Sequence, residues 1–253
     1  MTPRKFFGYA LVLIAALAVL AALLSGYFQL IKHTGLAPAT VLGAEHTAAA
    51  PVALSAGPVA PGAHHRTAPQ DRVPAGTPGL GMGRVLLGQL VVAPHEQGPA
   101  YRRDEFGSPW FDTDRNRCNT RDDVLAAWMI DTKTDGCEVT EGQLVDPYTG
   151  AHITNPIQVD IDHVVSLGDA WRSGAARWTK ERRTEFANDV RHLVPVSASA
   201  NRSKGDKPAE KWLPPDAVYH CDYALIIIAT KHAYRLTVTA EERNALDRAL
   251  MTC

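Results

Sequence analysis

Val159-Asp160-Ile161-Asp162-His163-Val164-Val165 sets two carboxylates and an imidazole inside a run that is otherwise β-branched and apolar. Burying charge in such a run without a partner or a metal is costly, so the trio is expected to carry chemistry. Alternation along a strand places Asp160 and Asp162 on one face and Val159, Ile161 and His163 on the other. Asp162 and His163 can therefore serve one site only where the strand ends or bends between them.

Working downstream, residues 166–177 read as a loop or short helix, and Thr179 caps a helix running to about Asn188. Residues 192–196 form a short second strand. Residues 199–207 open a helical turn that carries Asn201 and stops at Pro208. The order is strand, connection, strand, helix, which brings an oxygen donor back to the Asp-His pair. Asp162 and Asn201 are hard donors suited to one divalent cation, Mg2+ or Mn2+. His163, with a pKa near neutral, suits a general base. Further on, residues 217–234 predict a long helix whose 224–229 run is apolar all round, as in a buried helix. Thr239 and Glu242 then frame a capping box for a last helix ending at Leu250.

Upstream, residues 83–92 have helix-compatible apolar spacing and form the first helix. An aromatic loop follows, Tyr101 to Phe111. Asp112, Asp114 and Asn116 have the spacing that opens a calcium loop, but the required glycine and distal glutamate are missing, so turn chemistry is expected there. Thr120 and Asp123 predict a capped helix from Arg121 to about Asp131, with Trp128 in the core. Alternation over residues 137–146 predicts a strand or hairpin. The turn Asp146-Pro147-Tyr148-Thr149-Gly150 leads to a second strand near residues 152–154, with His152 as a packing residue.

The chain ends differ in kind. Residues 6–31 contain no charged side chain, and Arg4 and Lys5 precede them. At about 1.5 Å per residue these positions exceed the roughly 30 Å hydrocarbon core. Residues 1–32 are thus expected to be a membrane anchor with the rest of the chain extracytoplasmic, or a signal segment if cleaved. Of the 50 residues from 34 to 83, 33 are Ala, Gly, Pro, Ser or Thr and none is aromatic. Residues 33–83 are therefore expected to be a disordered linker. The folded part, 84–253, holds 21 Lys and Arg against 25 Asp and Glu, a net charge of −4. It has no bulk positive field for gripping a polyanion by counterion release, so such a partner must meet local basic clusters and a bound cation. All four cysteines lie in this part. Their even number on the exported side of a membrane argues for two disulfides. Of the three possible pairings, Cys118 with Cys137 and Cys221 with Cys253 is favoured because each closes a short local unit.

Several stretches together resemble a known family, the HNH or His-Me finger endonucleases, and within it the exported bacterial branch related to the C-terminal domain of the GmrSD restriction enzymes. They are residues 101–107 (Tyr-Arg-Arg-Asp-Glu-Phe-Gly), 118–125 (Cys-Asn-Thr-Arg-Asp-Asp-Val-Leu), 160–165, 167–171 (Leu-Gly-Asp-Ala-Trp), 186–189 (Phe-Ala-Asn-Asp), 201–206 (Asn-Arg-Ser-Lys-Gly-Asp) and 212–215 (Trp-Leu-Pro-Pro). The resemblance implies an α+β domain, mainly helical, around a ββα-metal core. In it His163 matches the general base, Asp162 the first metal ligand and Asn201 the ligand on the helix. One position departs: the Asn usual before a Leu on the second strand is here His192 before Leu193. In the family that side chain braces the loop holding the base.

Arg202 and Lys204, on the helical turn of Asn201, are expected to contact phosphate. Asp206 reads as a helix-end partner, and Asp160 and Asn188 as supporting residues. The resulting expectation is a metal-dependent endonuclease acting on DNA, or alternatively RNA, outside the cytoplasm. The competing expectation is a catalytically silent, disulfide-stabilised cell-surface domain that binds a ligand on the same fold.

Overall fold

The computed structural model describes residues 73–253. The expected anchor and all but the last few positions of the expected linker lie outside them. No helix among the described residues is long and apolar enough to cross a membrane. The first described helix, α1 (Leu80–Gln89), begins inside the expected linker. Gly83 explains why: it is buried, and a Cβ there would lie 2.2 Å from Leu225 Cδ2. The glycine that reads as linker composition is in fact the point where α1 meets the long helix α6 (His220–Tyr234).

The middle of the domain carries two small sheets. Helix α2 (Thr120–Trp128) is capped one residue earlier than its sequence suggests, because Asn119 Oδ1 accepts from the Arg121 and Asp122 amides. Thr120 is thereby freed to donate to the Phe111 carbonyl at 2.5 Å. Strand β1 (Ile130–Asp135) takes up residues expected partly in the helix and pairs antiparallel with β2 (Glu138–Val145), which pairs in turn with β3 (His152–Ile153). On β3 it is Ile153 that is buried, so strand alternation turns His152 outward and it is not a packing residue.

Strands β4 (Val159–His163) and β5 (Leu193–Ser197) form a separate antiparallel pair, with Asp160 opposite Val196 and Asp162 opposite Val194. The connection between them holds α3 (Leu167–Arg172) and α4 (Lys180–Ala187), capped by Ser166 and Thr179 as expected for the latter. Helix α5 (Ala198–Lys204) follows β5 directly, its N-cap supplied by Ser197. It ends at Gly205, whose φ of +57° suits a residue without a Cβ. The order strand, connection, strand, helix is therefore present.

Two apolar clusters hold these parts. One gathers Val124 and Leu125 of α2 and Met129 just after it with Val139, Leu144, Ile153, Val159, Ile161 and Leu193, which fixes β4 against the three-stranded sheet. The larger is built on α6, where Tyr223 to Ile228 are all buried, with α7 (Ala240–Ala249) and α1 against it. Inside this core sits a charged trio: Lys231 Nζ lies 2.8 Å from Asp169 Oδ2 and 2.6 Å from Glu242 Oε2, all three nearly inaccessible. Glu242 thus serves Lys231, while Thr239 Oγ1 caps α7 by accepting from the Glu242 amide. Both expected disulfides are formed, Cys118–Cys137 and Cys221–Cys253.

Candidate functional site

The site grows out of two periodicities that meet on one face. Residues two apart on β4 share a side of the strand, and residues three apart on α5 share a side of the helix. Asp160 and Asp162 therefore face Asn201 and Lys204. Asn201 Nδ2 donates to Asp160 Oδ2 at 3.1 Å, and Lys204 Nζ donates to Asp162 Oδ1 at 2.9 Å. The second oxygen of Asp162 accepts from the Tyr148 hydroxyl at 2.5 Å. Lys204 also donates to the His163 carbonyl at 2.7 Å.

This overturns two sequence expectations. Asn201 meets Asp160, not Asp162, because the strand step of two residues and the helix step of three run in the same direction along the contact. Lys204 is not a phosphate contact: it is fully buried, one helical turn beyond buried Ala200, with its ammonium enclosed by Asp162 and a backbone carbonyl. Burial pushes the Asp162 carboxyl up, opposed by the Lys204 ammonium and the Tyr148 hydroxyl. Burial and the neighbouring Asp162 hold the Tyr148 phenol well above its ordinary range, so it stays protonated and donates.

His163 takes the other face, and β4 ends at this residue. Its Nε2 lies 2.8 Å from the Ala187 carbonyl, at the end of α4. A carbonyl only accepts, so Nε2 carries the proton and Nδ1 keeps its lone pair. Trp110 stacks nearly parallel on the ring, 11° apart with centroids 5.7 Å apart. On another side lies His192, at 5.9 Å between centroids. Burial first, and then the charge of His192, press the pKa of His163 well below the usual imidazole value. The ring is thus neutral near pH 7, the form a base requires.

His192 is buried and takes the preceding carbonyl, Nε2 lying 2.8 Å from Phe186 O. Burial lowers its pKa to about 4. Two imidazoles therefore serve the last carbonyls of α4, which have no partners within the helix. Asn188 ties the aromatic loop to the same helix end: its Oδ1 accepts from the Phe111 amide at 2.8 Å and its Nδ2 donates to the Thr184 carbonyl at 2.9 Å. Asp206 accepts from Arg172, at the end of α3, at both its side chain and its carbonyl. Arg202 is exposed.

Sequence reasoning placed Tyr148 only in a turn and Trp110 only in a loop, and missed both roles. Tyr148 is fully buried among Trp212, Tyr219 and Tyr223, so an aromatic residue inside a Pro-containing turn was the available signal.

Among the described residues no three His, Cys, Asp or Glu side chains converge on a metal-sized site. Each Asp162 oxygen already accepts one hydrogen bond, from Lys204 and from Tyr148. Asp160 and Asn201 do fit: a half-exposed carboxylate and an amide side by side, which a half-turn of the amide makes into two hard oxygen donors. A cation that keeps most of its waters, as Mg2+ does, asks for no more from the protein.

The geometry defines a class, an α+β domain built on a ββα unit with an imidazole at the end of its first strand. The model of the family described as GmrSD restriction endonucleases, C-terminal domain, matches residues 113–249, and the chain belongs to that family. It is also 41% identical over 183 residues to a protein of Arthroderma benhamiae described as an uncharacterized secreted protein, covering 71% of this chain and 89% of the relative. No solved structure matches.

Proposed function

We propose that the domain is a secreted, metal-dependent endonuclease of the HNH type that hydrolyses phosphodiester bonds in DNA, or alternatively RNA, with His163 as general base. One observation carries the reading. A neutral imidazole donates its Nε2 proton to the Ala187 carbonyl, leaving the Nδ1 lone pair to accept a proton from water. Membership of a family described as restriction endonucleases supports the substrate class.

Asp160 and Asn201 would hold the cation, Mg2+ or Mn2+, which when bound neutralises charge at the scissile phosphate and its leaving oxygen. The chain's own residues do the rest. Ala187 orients the base, and Trp110 excludes water from one face of the ring. Lys204 and Tyr148 hold Asp162 and so anchor the end of the strand that carries His163. Arg202, exposed on the outer side of α5, is the phosphate contact left on that turn. Export is supported by the two disulfides and by the secreted relative. Residues 1–32 would act as anchor or cleaved signal, which the mass of the mature N-terminus decides.

Plasmid degradation in Mg2+ or Mn2+, in EDTA, and with His163→Ala tests the proposal. Activity should need the metal and should vanish in the variant; equal activity in both proteins would sink the assigned base. The second reading, a non-catalytic binding domain on the same fold, draws on the hydrogen-bonded carboxylate of Asp162. It predicts no cleavage by the wild-type protein under any of these conditions.

A further inference from the structure

The segment that covers His163 has a second aromatic facing away from it. Trp110 lies on the imidazole, whereas the next residue, Phe111, is 57% exposed. A lone exposed phenylalanine needs no explanation by itself. This one is held on both sides of its own backbone, its amide by Asn188 Oδ1 and its carbonyl by Thr120 Oγ1. Trp110 itself holds a left-handed backbone, with φ of +55°. The loop beyond is fixed by Asp112, which accepts the Arg115 and Arg117 amides, and by the Cys118–Cys137 disulfide. A rigid backbone therefore presents an apolar ring to solvent one residue from the partner of the base.

Charge near the same place is of the sign a phosphate strand needs. In a domain of net negative charge two arginines of this region are paired, Arg102 with Asp104 and Glu105 and Arg183 with Glu105, whereas Arg115 and Arg117 on the Phe111 loop are exposed with no ion pair among the described residues. Arg103 is exposed and has no acidic partner among the described residues, and it lies close enough to His163 to oppose a positive charge there.

We propose that Phe111 is a stacking platform for one unstacked nucleobase, with Arg103 on the adjoining phosphate, so that the site takes single-stranded or frayed nucleic acid. The inference rests on the nuclease reading of His163. A base inside a duplex has both faces covered and cannot use the platform, whereas every unpaired base offers a π-face.

The test is fluorescence anisotropy in EDTA with a fluorescein-labelled oligothymidylate and a duplex of equal length, using the full chain. Phe111→Ala should weaken the single strand about 5- to 150-fold, the range for one lost base stack. Phe111→Trp should restore binding, and duplex affinity should move less than about twofold. Because the ring is largely exposed, the melting temperature should be unchanged. Unaltered oligothymidylate binding in Phe111→Ala, an equal loss for both ligands, or no binding of oligothymidylate by the wild-type protein overturns the proposal. Cleavage in Mg2+ is measured separately. Phe111-dependent binding without cleavage sinks the nuclease reading alone, and cleavage without Phe111-dependent binding sinks the platform alone.

Discussion

Lys204→Met separates the two roles that this lysine has been given. The ammonium is fully buried, 2.9 Å from Asp162 Oδ1 and 2.7 Å from the His163 carbonyl. Removing one partner of a buried pair strands the other, at about 3–5 kcal/mol. For a domain of this size each kcal/mol shifts the melting temperature by about 2–4 °C, so the variant should melt roughly 6–20 °C lower. Methionine keeps most of the volume, so the loss reports charge rather than a cavity. Asp162 is already pushed up by burial, and losing its ammonium pushes it further, so the carboxyl should then take up a proton at a higher pH. The deficit of Lys204→Met should therefore shrink as the pH is lowered. Adding Asp162→Asn should recover more than half of it, because the amide oxygen still accepts from Tyr148. Thermal denaturation of the four proteins of this cycle, at pH 7 and pH 5, is the assay. A melting temperature within about 2 °C of wild type, together with a weaker salt dependence of nucleic-acid binding, would refute the buried pair and restore the surface phosphate contact.

Other outcomes follow from the same structure. Asp160→Ala should abolish Mn2+ binding measured by calorimetry while leaving the fold intact; retained binding there, with loss in Asp162→Asn, would return the ligand role to Asp162. His192 has its pKa lowered to about 4 from 6.5, so the folded state binds fewer protons than the unfolded one between those values. Its contribution, about 3 kcal/mol, is present above pH 6.5 and lost as pH falls toward 4. Glu242 shows the opposite sign: burial, helped by the neighbouring Asp169 and opposed by the Lys231 ammonium, raises it to about 7, so its contribution is present below pH 4.5 and lost as pH rises through 7. Glu242→Gln should therefore steepen the fall in stability from pH 6.5 to 4.5, and His192→Asn should flatten it, since His163, also held below the usual imidazole value, still acts with the same sign; parallel wild-type and variant profiles would contradict the assignment. Opening Cys221–Cys253 should cost about 4 kcal/mol and Cys118–Cys137 about 3 kcal/mol by loop length, read from denaturant midpoints of Cys→Ser pairs.

What could be read from the sequence was whatever depends on local spacing. The order β4, β5, α5 and the apolar α6 follow from period and caps over a few residues each, and the short loops between cysteines marked both disulfides. The pairing of Asp160 with Asn201 and of Asp162 with Lys204 spans about forty residues, and it depends on the register at which α5 lies along β4. No local pattern states that register. Lys204 was partly legible, since Ala200 and Lys204 are four apart and share the buried stripe of α5. Asn119 and Thr120 show a smaller case: both can cap α2, and the choice was made by the distant Phe111 carbonyl, which claims the threonine.

The departure at residue 192 also finds its reason in α4. A helix ends with carbonyls that have no partner of their own, and here Phe186 and Ala187 present theirs toward β4 and β5. The first of them accepts the Asp189 amide at 3.3 Å, and the residue before Leu193 can add a side-chain N–H to it. An asparagine amide can do so, and His192 Nε2 does so at 2.8 Å while its ring lies on Phe186 with centroids 4.4 Å apart. His192 therefore holds the end of α4 from this position. The cost falls elsewhere: His192 Nδ1 is buried without a hydrogen-bond partner, a loss of about 1–3 kcal/mol. The ring also faces His163, and any proton it takes up repels one on the base. Protonation of His192 in acid leaves Nε2–H donating to Phe186 O, so the brace persists, while the new charge opposes a proton on His163 still further.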